Sequence, residues 1–103
     1  MYKLSFFVPR THLEQVKSAV FLTGAGKLGD YRECCWQSLG QGQFRPLSNS
    51  DPFIGAAGKL EYVEEYKVEL VCKDELIKVA VEALKREHPY EEPAYDVVKL
   101  EAY

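Results

Sequence analysis

Histidine is scarce in this chain, with only His12 and His88 among 103 residues. A centre built from several imidazoles is therefore excluded, and any histidine-dependent chemistry must rest on one of two positions. Cysteine is nearly as sparse. Cys34, Cys35 and Cys72 are odd in number and contain no C-x-x-C pair, so they encode no disulfide framework. A reducing, cytoplasmic setting is the expectation. There is no basic run or basic pole, and the net charge of −3 argues against nucleic acid as a partner. No apolar stretch approaches the roughly 18 residues that span a bilayer, so no membrane partner is expected. The opening MYKLSFFVPR meets a proline early and lacks a small-residue cleavage site, so it reads as a strand rather than a signal peptide.

What is present suits one globular domain over residues 1–103: 47% hydrophobic and 28% charged, with both signs interspersed. Tyr2, Leu4, Phe6 and Val8 alternate with Lys3, Ser5 and Phe7, the period of a strand. Thr11 followed by Glu14 has the form of a capping box opening a helix over 12–23, with Leu13, Val16, Ala19 and Val20 on its buried side. YRECCWQSL, 31–39, predicts a second strand. Residues 60–72 predict the clearest one: Tyr62, Tyr66, Val68, Leu70 and Cys72 share a face, and Glu61, Glu65, Lys67 and Glu69 share the other. Asp74 is placed to cap a second helix with an Ile77, Ala80, Val81, Leu84 stripe. Lys85, Arg86 and His88 fall in its last turn, where positive charge suits the helix dipole. Pro89 stops it, and AYDVVKLE, 94–101, is the final strand. The order βαββαβ predicts an α+β, ferredoxin-like domain with an antiparallel sheet and two helices on one face.

Three motifs invite a functional reading. GAGKLG, 24–29, matches G-x-G-x-x-G, but a helix precedes it and a strand follows. Dinucleotide binding needs the reverse order, so the glycines read as a helix C-cap and tight turn. Cys34 and Cys35, adjacent on a strand, would point to opposite faces and could not chelate one ion together. HPYEEPAYDV, 88–97, concentrates a histidine, two prolines, two tyrosines and three acids. As a site, His88 with Glu91 or Glu92 offers a nitrogen and carboxylate oxygens that suit a divalent metal, the one cofactor in view. As a corner, His88 caps the helix, the prolines shape the turn, and Tyr90 and Tyr95 pack. Residue chemistry alone favours the corner. No catalytic residue emerges, since no nucleophile can be paired with either histidine.

The connection over 40–59 is long for a small domain, and such loops are usually functional or disordered. It mixes glycines and prolines with Phe44, Arg45 and Phe53, which together with Tyr90 and Tyr95 form the candidate ligand-binding set. Edge strands of an open sheet also need covering, so self-association is expected.

GAGKLGDYRECCW, GQGQFRPLSNSDPFIG, LEYVEEYKVEL and HPYEEPAYDV cover nearly the whole chain. Together they resemble the insertion domain of the YqfO-type proteins, the Nif-three-like family named for NGG-interacting factor three. The resemblance implies a CutA-like, PII-like ferredoxin fold, a homo-oligomer such as a trimer, and use of the loop between strands two and three for ligands or partners. It also implies that the family's two-metal centre lies in flanking domains, which these residues do not include, so the hydrolase label is not expected to apply here. The expectation is a non-enzymatic, oligomeric binding or regulatory module with a protein or small-molecule partner. The alternative is a CutA-like divalent-metal binder using His88, Glu91 and Glu92.

Overall fold

A computed structural model describes all residues, Met1–Tyr103. The elements run β1 (Tyr2–Pro9), a 3-10 turn (Arg10–His12), α1 (Leu13–Leu22), β2 (Trp36–Phe44), β3 (Glu61–Cys72), α2 (Ile77–Glu87) and β4 (Tyr95–Lys99). The strands form one antiparallel sheet in the order β2-β3-β1-β4, the α+β ferredoxin-like arrangement expected. No helix is long and apolar enough to cross a membrane.

The alternation of β1 and β3 builds the core. Leu4 lies opposite Leu70 and Phe6 opposite Val68, so the even-numbered side chains of both strands project to one face. Leu13, Val16 and Val20 of α1 and Ala80 and Leu84 of α2 pack there as one cluster, all but Leu13 with no exposed surface. Truncating Leu84 to alanine would cost about 2–5 kcal/mol by lost burial and cavity formation.

Both helices start differently from what local sequence suggests. The 3-10 turn takes up Thr11, so α1 begins at Leu13 with His12 at its N-cap and no side-chain cap. Thr11 Oγ1 instead meets His12 Nδ1 at 2.8 Å, and Glu14 pairs with Lys17 at 3.1 Å; the capping box does not form. Asp74 likewise does not cap α2, whose N-cap is Leu76, and it meets the amino group of Met1. The glycine turn after α1 is as expected. Gly24 adopts φ +98°, and Gly26, at φ +83°, donates its N–H to Val71 O at 2.8 Å, tying the turn to β3.

The second strand is displaced from its predicted position. It occupies Trp36–Phe44 rather than 31–39, so 40–44 belongs to the sheet and Cys34 and Cys35 precede the strand. Its register, Trp36 with Glu69 and Phe44 with Glu61, runs past the end of β1, whose last pair is Pro9 with Glu65. Residues 61–64 therefore pair with β2 alone, and the molecule is elongated, 46 Å along one axis against 25 and 23 Å. The last strand is also shorter than 94–101, ending at Lys99.

Candidate functional site

Where β1 stops, β3 continues, and the corner after α2 fills the resulting notch. Phe7 donates its N–H to Ala94 O at 3.1 Å, which fixes the entry to β4. His88 is 6% exposed and sits behind this junction. Its Nε2 lies 2.6 Å from Phe7 O, and because a carbonyl can only accept, Nε2 carries the proton. Nδ1 then accepts the Tyr90 N–H at 3.1 Å. The ring is thus held as one neutral tautomer with both nitrogens occupied. Burial is the main cause that holds its pKa below the ordinary value of 6.5, opposed by the Phe7 carbonyl, with His12 adding a small repulsion. His88 accordingly does not act as a helix-terminal cation. Its main chain still closes the helix, donating to Leu84 O at 2.9 Å.

The Tyr90 ring packs against His88, tilted by 57° with ring centroids 4.9 Å apart. The end of β2 and the connection after it close onto this ring. Phe44 and Phe53 approach the Tyr90 ring at 6.1 and 6.4 Å, tilted by 53° and 48°, and His12 meets Phe53 edge-on at 5.2 Å. Asp51 donates its N–H to Glu91 Oε1 at 2.9 Å, fastening loop to corner. Inside the loop, Gly58 N–H reaches Pro46 O at 2.7 Å and Ser50 N–H reaches Leu47 O at 3.1 Å.

These contacts enclose a cleft of about 420 Å³ between the loop and the corner, within the usual range of small-molecule sites. Phe44, Arg45, Phe53, Tyr90, Glu91 and Glu92 all line it, joined by Pro46, Leu47, Ile54 and Glu65. The Tyr90 hydroxyl is buried with no hydrogen-bond partner. Burial, and secondarily the Glu65 carboxylate, push its pKa above that of an ordinary phenol, so it remains a neutral donor and acceptor. Glu65 approaches the hydroxyl without completing a hydrogen bond to it.

Two of the predicted residues lie elsewhere. Tyr95 pairs with Phe6 on β1 and packs against the core, with Lys85 Nζ 5.4 Å from its ring centre. His88 supports Tyr90 from behind and does not line the cleft. No group of three metal-ligating side chains is assembled anywhere in the chain. With both His88 nitrogens engaged and Glu91 holding the loop, the His88, Glu91 and Glu92 metal set finds no geometric support.

Sequence reading missed Glu65, which looked like one more residue on a wet face, and Gly42, which looked like loop. A Cβ at Gly42 would stand 1.8 Å from Glu65 Oε1. The bare glycine on β2 gives the carboxylate the space it occupies, and nothing in the local sequence signals that pairing.

No family model matches the chain. A GTP cyclohydrolase 1 type 2 homolog of Halalkalibacterium halodurans is 46% identical over 100 residues, which is 97% of this chain and 27% of that protein. The structure of a Bacillus cereus protein related to NIF3 superposes with a TM-score of 0.83 at 39% identity, over 98% of this chain and 26% of that one. CutA1 from Pyrococcus horikoshii superposes with a TM-score of 0.70 at 17% identity, over 100% of this chain and 86% of that one, a likeness of fold. The chain thus spans about a quarter of the length of the curated relatives it matches. It is a homologue of one part of the GTP cyclohydrolase 1 type 2 homologs, in agreement with its resemblance to the YqfO-type family, and it shares the fold of CutA.

Proposed function

We propose that this chain is a single non-enzymatic module that binds a small ligand in the cleft between its 45–58 loop and the 88–94 corner, and that it works as a homo-oligomer. The observation that carries this reading is the loop itself. It is folded back and fastened at Asp51 to Glu91, so that three aromatic rings surround one concave space. Aromatic rings, carboxylates and a buried phenol gathered around one concave space are the chemistry of a binding site. The enzyme-type name belongs to relatives of which this chain represents about a quarter. Self-association is supported by β2, an edge strand whose Trp36 and Leu39 are 71% and 53% exposed.

The test compares wild type with a Phe44→Ala, Arg45→Ala, Phe53→Ala triple variant by native mass spectrometry, on untagged protein purified without chelator. A stoichiometric extra mass that is lost from the variant, while its Tm stays within about 4 °C of wild type, supports the reading. A mass retained in full by the variant places the ligand elsewhere. A collapse in Tm shows that the loop is structural.

A further inference from the structure

The cleft has an unbalanced wall. Glu65, Glu91 and Glu92 contribute three carboxylates and Arg45 the one cation. The four do not neutralise one another, since the ion pairs of the chain are made by other groups, such as Lys3 with Glu69 and Arg10 with Glu64. Glu91 is engaged by the Asp51 N–H. Glu65 is half-buried, lacks a salt-bridge partner, and has a glycine cleared beneath its carboxylate. Beside it the Tyr90 hydroxyl is buried and unpartnered, a condition that disfavours the empty cleft until a ligand or water satisfies it. Around these two polar groups stand the rings of Phe44, Phe53 and Tyr90, tilted at 53° and 48° rather than stacked face to face, which leaves ring faces available to a guest.

Aromatic faces attract cations through the ring quadrupole, and a nearby carboxylate reinforces the attraction. An anion would meet three carboxylates against the single Arg45 cation, and a neutral apolar guest would leave the Tyr90 hydroxyl unsatisfied. We infer that the cleft selects a small organic cation, a protonated amine carried on an apolar or ring-shaped body, with Glu65 opposing the charge and the Tyr90 oxygen accepting a hydrogen bond from its N–H. This rests on the proposal that the cleft is a ligand site, and it adds the sign of the ligand's charge and the residue that reads it.

Three soluble probes of similar size separate the possibilities: benzylammonium, benzyl alcohol and benzoate. Each is titrated into the 15N-labelled full chain, following the amides of 43–54 and 88–94. The cation is expected to saturate with the tightest Kd of the three, and Glu65→Gln to weaken it by about tenfold while leaving benzyl alcohol unchanged. Gly42→Ala, which pushes the carboxylate away without removing it, should give an intermediate loss. If benzoate or benzyl alcohol binds as tightly as the cation, or if Glu65→Gln leaves the cation's Kd unchanged, the charge selection is refuted while the cleft remains a ligand site. If none of the three shifts these amides, the cation reading fails as well.

Discussion

Replacing His88 with alanine should destabilise the fold by about 3–4 kcal/mol. Two hydrogen bonds disappear, Nε2–H to Phe7 O at 2.6 Å and Tyr90 N–H to Nδ1 at 3.1 Å, each worth about 1 kcal/mol net. A ring that is 6% exposed is also removed, which adds about 1–2 kcal/mol for lost packing and the space left behind. Glutamine can restore one donor toward Phe7, so His88→Gln should recover part of the loss. The same geometry sets a pH dependence. Protonating Nδ1 would turn it into a second donor facing the Tyr90 N–H, so the folded state disfavours the imidazolium and the folded pKa lies below 6.5. The unfolded chain then binds the proton more readily. The contribution from neutral His88 is complete above about pH 6.5 and is lost as pH falls from there through the folded-state value. Urea unfolding of wild type and both variants, at about pH 7.5 and about pH 5, measures the two effects together. A loss below about 0.5 kcal/mol in His88→Ala, or the same acid slope with and without the imidazole, would show that the ring is not a neutral strut.

Tyr90→Phe should be neutral to stability or raise it by up to about 1 kcal/mol, because the hydroxyl it removes is buried without a partner; chemical denaturation decides, and a loss above about 1 kcal/mol would mean that the hydroxyl is bonded in solution. Gly26→Ala should cost about 2–3 kcal/mol, since its φ is +83° and a Cβ would come within 3.0 Å of both the Phe21 ring and Cys34 O. Gly29→Ala, at φ +56° with open space around it, should cost about 1 kcal/mol, and equal losses at the two glycines would remove the steric part of that argument. Gly42→Ala should change stability by less than about 1 kcal/mol in a urea titration, because the clash falls on the flexible end of Glu65; a larger loss would mean that the carboxylate is held where it lies.

The order of elements was legible because β1, β3 and both helices bury one side, and burial leaves a period in the sequence. Leu4, Phe6 and Val8 against Val68, Leu70 and Cys72 are that signal in its simplest form. β2 carries no such period. Its first six residues, Trp36–Gln41, are all exposed, and its place is set by pairing with the long β3 rather than by any hydrophobic face of its own, so Gly40 and Gly42 looked like loop. Helix starts were misread for a related reason: the 3-10 turn after Pro9 diverted Thr11 to His12, and a local motif cannot reveal a competing turn. At the site, Phe44, Arg45, Phe53, Tyr90, Glu91 and Glu92 were visible as unusual chemistry in a loop and a corner. Their meeting was not visible, because it depends on the notch left where β1 ends at Pro9 and β3 runs on to Glu61. His88 was visible too, but its role turned on burial, which converts an apparent helix-end cation into a neutral hydrogen-bonded strut.

The most direct test of the central claim is to map where small molecules bind. Assigned amide spectra of the full chain would be recorded against a set of soluble, ring-sized fragments of mixed charge. Binding in the cleft predicts saturable shifts gathered on 43–54 and 88–94, including the Tyr90 and Asp51 amides, and their disappearance in the Phe44, Arg45, Phe53 triple variant. Fragments that bind only along the exposed β2 edge or the open face of the sheet, with the loop and corner unmoved, would contradict it.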